Sequence, residues 1–378
     1  MESFSIETPR AIHVGPGVLD QLPVALGSAQ RVLVVCGSRW LAASPWSRVL
    51  EELLDGRLAQ RLSCPTGEPT TQSVSRAMEQ ARPFDAEALV AVGGGSVLDT
   101  AKALSALLVH GGPVERYLEG VEGSVAVPGP GLPWIAVPTT AGTGAEVTKN
   151  AVIRAPAIGV KRSMRSPHLL ASAVIADPRL TVSMPLAATG TCGLDALVQL
   201  IEAYVSRKST PYVRAIVQGA FPHMLRALQG LPAALEDVEL RSAASWGALV
   251  SGIALANAGL GAAHGFAAGI GGMYEIPHGL LCAVFMPAVL EANASCIRGG
   301  IGELARAAGV NADDPVAWLA AEMRRLLAAF HLPADLGRYA IPRSTAGELA
   351  ERSMGSSMKG NPRDLSAGER RDIIASVL

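Results

Sequence analysis

Asp195, His264 and His278 unite metal-ligand chemistry with surroundings in which polar groups are otherwise unwelcome. Ser242 to Tyr274 runs for thirty-three residues without a charged side chain, and His264 lies near its far end. His278 follows in the turn-like segment Glu275-Ile276-Pro277-His278-Gly279, and Asp195 is the single charge between Leu180 and Ile201. A lone carboxylate among apolar residues is unfavourable unless it is paired or binds a cation. One Asp and two His in such company are the donors of a divalent-metal site, for Fe2+ or Zn2+. A single buried His more often satisfies a core hydrogen bond; three donors in uncharged context favour the metal. On one continuous helix, fourteen residues from His264 to His278 would span about 21 Å, far beyond metal bonds of about 2 Å. The chain must therefore fold back, and Gly269-Ile270-Gly271-Gly272 and Pro277 supply the break. Gln199, one helical turn after Asp195, shares its face and offers a neutral, weaker oxygen.

Gly93-Gly94-Gly95-Ser96 follows an apolar strand and opens a helix running to about His110. Glycines let backbone approach a phosphate closely, and a helix N-terminus presents free N–H groups to it. Ser96 is a candidate cap, with Asp99 one turn in. A ligand-free turn would look the same, and GxGxxG is absent. A second small-residue loop, Pro138-Thr139-Thr140-Ala141-Gly142-Thr143-Gly144-Ala145-Glu146, follows another strand. Two such loops at the carboxyl ends of parallel strands suit a dinucleotide.

The elements that must position these groups divide the chain. Ala11–Val14, Val32–Cys36, Ala88–Val92, Trp134–Pro138 and Ala173–Pro178 read as strands with helices between them, in an open and mostly parallel sheet. After about Thr181 the chain turns Ala- and Leu-rich at helical spacing. This predicts an α/β dinucleotide-binding domain over 1–180 and an all-helical metal and substrate domain over 181–378.

With 49% hydrophobic and 17% charged residues, a large buried interior is expected and disorder is excluded. A net charge of −1 without a basic stripe argues against nucleic acid. Five scattered cysteines, Cys36, Cys64, Cys192, Cys282 and Cys296, fit a reducing cytoplasm. The uncharged run is long enough for a membrane span. Its eight glycines, three serines, Asn257 and His264 point instead to a buried helix of a soluble domain, so no membrane role is expected.

Gly93-Gly94-Gly95-Ser96-x-x-Asp99-x-Ala101-Lys102, Pro138-Thr-Thr-Ala-Gly-Thr-Gly-Ala-Glu-Val-Thr148, Asp195-Ala-Leu and His264-Gly…Pro277-His278-Gly279 together resemble the iron-containing (group III) alcohol dehydrogenases. The likeness spans essentially the whole chain, including Asn361-Pro362-Arg363. It implies an active site in the cleft between the two domains. Gly94, Gly95 and Ser96 would meet the cofactor pyrophosphate, while Asp99, Thr139, Thr140, Thr143 and Lys161 would line the rest of its path. Asp195, His264 and His278 fall on three of the family's four metal-ligand positions and are the expected catalytic centre. A homodimer is also implied.

Two positions depart from the pattern. The fourth ligand, a His in the family, is Gln199, expected to be a weak ligand or to touch one. A further His linked to proton relay is Ala268, so the proton would travel through water or the cofactor ribose. Where NAD enzymes place an acid after the second strand, this chain has Gly37, then Ser38 and Arg39. Without the acid a 2′-phosphate is not repelled, and Ser38 or Arg39 could donate to it. NADP(H) is therefore expected over NAD(H).

The resulting expectation is an NAD(P)H-dependent oxidoreductase interconverting an aldehyde or ketone and an alcohol by metal-assisted hydride transfer, chiefly in the reductive direction. The alternatives are a dehydroquinate-synthase-like lyase or polyol-phosphate dehydrogenase of the same fold, and a nucleotide-binding sensor with a degraded metal site.

Overall fold

The computed structural model describes residues 3–38 and 44–378. Eight strands are present among them: β1 (Ala11–Val14), β2 (Arg31–Gly37), β3 (Leu58–Cys64), β4 (Ala88–Gly93), β5 (Trp134–Pro138), β6 (Asn150–Ala155), β7 (Val160–Arg165) and β8 (Ala173–Ala176). Six form one sheet in the order β1-β8-β5-β4-β2-β3, and every pair in it is parallel. The central strands are continuous Val, Leu and Ala runs because helices cover both faces of such a sheet; β4 is buried along its whole length. With it pack α1 (Leu22–Leu26), α2 (Trp46–Leu53), α3 (Thr71–Ala81) and α4 (Gly95–His110). The expected strands are all present, the last ending at Ala176 rather than Pro178, because Pro178 opens a 3-10 turn. The pattern did not reveal β3, an edge strand with four exposed residues, or the antiparallel hairpin β6–β7.

From β2 the chain steps outward to β3, then returns to the other side of β2 as β4. Strand order therefore reverses between β2 and β4, where Gly37 and Gly93 end their strands. An open parallel sheet binds ligands at such a reversal. Lys102, fully buried on α4, ties the hairpin down: it donates to Asp99 Oδ1 at 3.0 Å, Thr148 Oγ1 at 3.0 Å and the Asn150 carbonyl at 2.8 Å. A buried ammonium with all three protons used is the arrangement in which its charge is tolerated.

The second unit is helical: α5 (Leu186–Val205), α6 (Pro211–Gly230), α7 (Val238–Ala258), α8 (Ala262–Gly271), α9 (His278–Ala307), α10 (Pro315–Ala329), α11 (Ala346–Arg352) and α12 (Ala367–Val377). By packing, this unit comprises Val182–Leu378 together with residues 3–6 and Ala141–Gly144, while the sheet unit takes Glu7–Thr140 and Ala145–Thr181. The uncharged run breaks earlier than its last glycine cluster suggested. Gly259 takes φ +65° to end α7, and α8 leaves at 95° to it. Only glycine adopts that conformation without strain. α9 is apolar enough to cross a membrane, but 67% of its most apolar window is buried, as in a core helix.

Candidate metal centre

The donors reach one point because three helix segments of the same unit meet there. Asp195 lies midway along α5, His264 in the first turn of α8, and His278 is the first residue of α9. Gly279 lets α9 come this close: a Cβ there would lie 2.1 Å from the Thr191 carbonyl oxygen and 2.9 Å from Asp195 Cβ. His264 Nε2 stands 3.2 Å from Asp195 Oδ1, and the two imidazole rings are 5.5 Å apart between centroids. Cys282, one turn along α9, brings its Sγ within 3.6 Å of His278 Nε2. One ligand atom from each of Asp195, His264, His278 and Cys282 lies within 4.8 Å of every other. Two imidazole nitrogens, a carboxylate oxygen and a sulfur are a set that fits Zn2+ or Fe2+.

Gln199 is buried beside Asp195. Its Nε2 lies 3.5 Å from Asp195 Oδ2, and its Oε1 accepts the Ser251 hydroxyl at 2.8 Å. The amide thus faces α7 with its oxygen and the carboxylate with its nitrogen, and the Ser251 hydroxyl shares its one proton with the Ala248 carbonyl at 2.7 Å.

Glu202, two turns after Asp195, holds His264 in place. Its carboxylate accepts the Gly261 N–H at 2.9 Å and the Ala263 N–H at 2.7 Å, capping the N-terminus of α8. It also lies 2.7 Å from His264 Nδ1. A carboxylate on one ring nitrogen fixes the tautomer and points the other at a metal. Burial opposes a charged His264, but Cys282, Asp195 and Glu202 outweigh it and raise its pKa well above the ordinary value. Burial likewise opposes ionisation of Asp195, yet the His264 hydrogen bond and the His278 and His264 charges hold its pKa below the usual range. A cation here competes with the proton on His264, so metal binding releases it and weakens as pH falls. We expect Glu202→Gln to lower metal affinity by about 10–100-fold with a folded protein, read by competition with a chelator. Unchanged affinity would show that Glu202 only caps α8.

The expected cofactor residues are distributed as follows. Gly94, not Ser96, is the N-cap of α4, and no side chain caps it. The strand runs into the helix two residues before the serine, so Ser96 is already helical and its carbonyl accepts Thr100 Oγ1 at 2.8 Å. In the first turn the Val97 N–H donates to the Gly94 carbonyl at 3.0 Å, while the N–H groups of Gly95 and Ser96 lie at the helix start, where an anion binds. Thr139 N–H donates to the Gly93 carbonyl at 3.0 Å, and a Cβ on Gly94 would meet Thr140 Cγ2 at 3.1 Å. These two loops therefore touch. Gly37 stands over Val97 of α4, and Ser38 is exposed. Asp99 is taken up by Lys102 and by the Val152 N–H at 2.9 Å. Lys161, on β7, is ion-paired with Glu68. Thr143 is exposed within the segment that packs with the helical unit. Ala268 is exposed one turn after His264, and Arg39 lies outside the described residues.

Sequence reasoning passed over Glu202 and Cys282. Both carried a signal: Glu202 is seven residues after Asp195 and Cys282 four after His278, spacings that share a helix face.

The model of the iron-containing alcohol dehydrogenases matches residues 9–178, and that of the Fe-containing alcohol dehydrogenase family C-terminal region matches 189–378. Long-chain-alcohol dehydrogenase 1 of Geobacillus thermodenitrificans is 32% identical over 359 residues, covering 93% of this chain and 90% of that one. The NAD-dependent methanol dehydrogenase of Bacillus methanolicus is 31% identical, with 100% of both chains covered. Among solved structures, a 1,3-propanediol oxidoreductase superposes with a TM-score of 0.93 at 26% identity, covering 100% of both chains.

Proposed function

The chain belongs to the iron-containing alcohol dehydrogenase family and is an NAD(P)-dependent alcohol–aldehyde oxidoreductase; on that premise we propose that Asp195, His264 and His278 hold its divalent cation and that it works chiefly as an NADPH-dependent reductase. The convergence of these donors in one cluster, with Asp195 and His264 buried and His278 partly so, carries the reading. When bound, the cation supplies Lewis acidity toward the carbonyl oxygen of the aldehyde or the hydroxyl of the alcohol. Asp195 provides the negative charge that retains it. Glu202 holds the His264 ring so that Nε2 faces the cation. The uncharged side chains of α7 and α8 keep the surroundings low in dielectric, which strengthens each of these interactions.

In the sheet unit, the uncapped start of α4 binds the cofactor pyrophosphate, with Gly94, Gly95 and Ser96 offering N–H groups and Thr139 and Thr140 beside them. Gly37 bears on the choice of nicotinamide: an acid at this strand end would hold the ribose hydroxyls and repel a 2′-phosphate, and glycine does neither. We expect kcat/KM to favour NADPH over NADH by about tenfold or more in aldehyde reduction, equivalent to ~1.4 kcal/mol. Gly37→Asp should reverse the preference. A wild-type preference for NADH would overturn the cofactor assignment and leave the rest standing. The test is a panel of aldehydes with both reduced cofactors, with and without added Fe2+ or Zn2+; inertness across the panel in every combination would overturn the reductase reading. We place the enzyme in a reducing compartment, because its five cysteines are all free.

A further inference from the structure

We infer that Cys282 is the fourth protein ligand of the metal centre, giving an Asp–His–His–Cys site that selects Zn2+ over Fe2+. This rests on the metal reading above and concerns the corner of the site that Gln199 leaves open.

The edges of the cluster argue for it. With the usual Zn–N, Zn–O and Zn–S bond lengths and near-tetrahedral angles, a nitrogen–oxygen edge is about 3.4 Å and a nitrogen–sulfur edge about 3.6 Å, and zinc accepts a fifth ligand when a substrate oxygen joins. The observed edges are 3.2 Å for His264 Nε2 to Asp195 Oδ1 and 3.6 Å for His278 Nε2 to Cys282 Sγ. Two of the six edges thus match before any rearrangement, and one ligand atom from each of the four residues lies within 4.8 Å of every other. His278 and Cys282 are held as a pair because positions four apart on α9 share one face. Gly279, between them in sequence, lets that face meet α5.

Donor chemistry points the same way. The carboxylates of Asp195 and Glu202, the latter through His264, already balance a divalent ion, so the case for Cys282 rests on its position and its sulfur. Gln199 contributes no charge, and its oxygen is engaged by Ser251. Sulfur donors favour Zn2+ over harder cations, and Zn2+ stands above Fe2+ in intrinsic affinity.

The test uses the full-length protein, stripped by a chelator and reloaded with one equivalent of Co2+ or Zn2+. Cobalt bound to thiolate shows a sulfur-to-metal charge-transfer band in the near ultraviolet, and X-ray absorption of the zinc form should show one sulfur at about 2.3 Å. Both signals are expected in the wild type and in Cys192→Ser, which changes the neighbouring cysteine on α5. They should vanish in Cys282→Ala and Cys282→Ser, with Zn2+ affinity reduced by about 100-fold and Fe2+ competing better. Stoichiometric metal without a sulfur signal in the wild type would overturn the inference and leave the three-ligand reading standing. A signal that survives in Cys282→Ala, or disappears in Cys192→Ser, would overturn it as well. Failure of the wild type to bind either metal would overturn both. If the variants fold poorly, the wild-type spectra still decide.

Discussion

Replacing Asp195 with alanine should lower kcat/KM for aldehyde reduction by about a thousandfold or more and leave the protein substoichiometric in metal. Asp195 is 2% exposed and is one of two acidic side chains, with Glu202, in this part of α5. Its Oδ1 faces His264 Nε2 and its Oδ2 faces Gln199 Nε2. Lewis-acid stabilisation is worth several kcal/mol, and 1.36 kcal/mol is tenfold in rate, so losing the ion removes at least three powers of ten. The alanine variant also takes from His264 its Asp195 partner and leaves Glu202 and Cys282, so a fall in Tm is expected. Asp195→Asn separates the two effects. It keeps the volume and the hydrogen-bonding reach but not the charge, so we expect it to recover Tm without recovering metal or turnover. Measurements are metal content, Tm and kcat/KM on the same preparations. An Asp195→Ala protein that retains one equivalent of metal and a tenth of the activity would remove Asp195 from the site.

The second large effect belongs to a residue with no reactive group. Gly279→Ala should destabilise the helical unit by about 1–3 kcal/mol or more and abolish metal retention. Its new methyl would lie 2.1 Å from the Thr191 carbonyl oxygen, and that oxygen belongs to helix α5 and has no free rotation. Either α9 moves away from α5 or α5 bends. Overpacking of this kind typically costs 1–3 kcal/mol, occasionally more, and a misplacement of about 1 Å in a reacting group is enough for a hundredfold loss. Gly299, on the same helix, is the matched control. A Cβ there has no atom within 4 Å. Gly299→Ala should therefore stabilise slightly, by up to about 1 kcal/mol, through helix propensity alone. Thermal melts and metal content on both variants test the pair; equal, small effects would show that the α5–α9 approach does not position the site.

Both variants bear on what could be read without coordinates. The strands of the central sheet were legible because a parallel sheet buries both faces, which makes Val32–Cys36, Ala88–Val92 and Trp134–Pro138 continuous apolar runs. β3 was not: at the sheet edge only one neighbour pairs with it, and Gln60, Arg61 and Ser63 are tolerated where solvent reaches them. The hairpin β6–β7 was hidden for a related reason. Its alternating burial along Asn150–Ala155 is secured by Lys102 and Asp99 from a helix some fifty residues away, and no local pattern encodes such a partner.

The sequence by itself determined the architecture, the family resemblance and three donors in uncharged surroundings, because burial leaves a compositional trace and polar atoms without obvious partners stand out against it. It could not rank the fourth corner. Gln199 was the natural candidate by helical spacing, yet in space its oxygen turns to Ser251, while Cys282 faces His278 and Glu202 locks His264. Those relations depend on the angles at which α5, α8 and α9 meet, on the 95° bend after Gly259 and on the missing side chain at Gly279. Helical periodicity says which residues share a face; only the packing of the helices decides which faces converge.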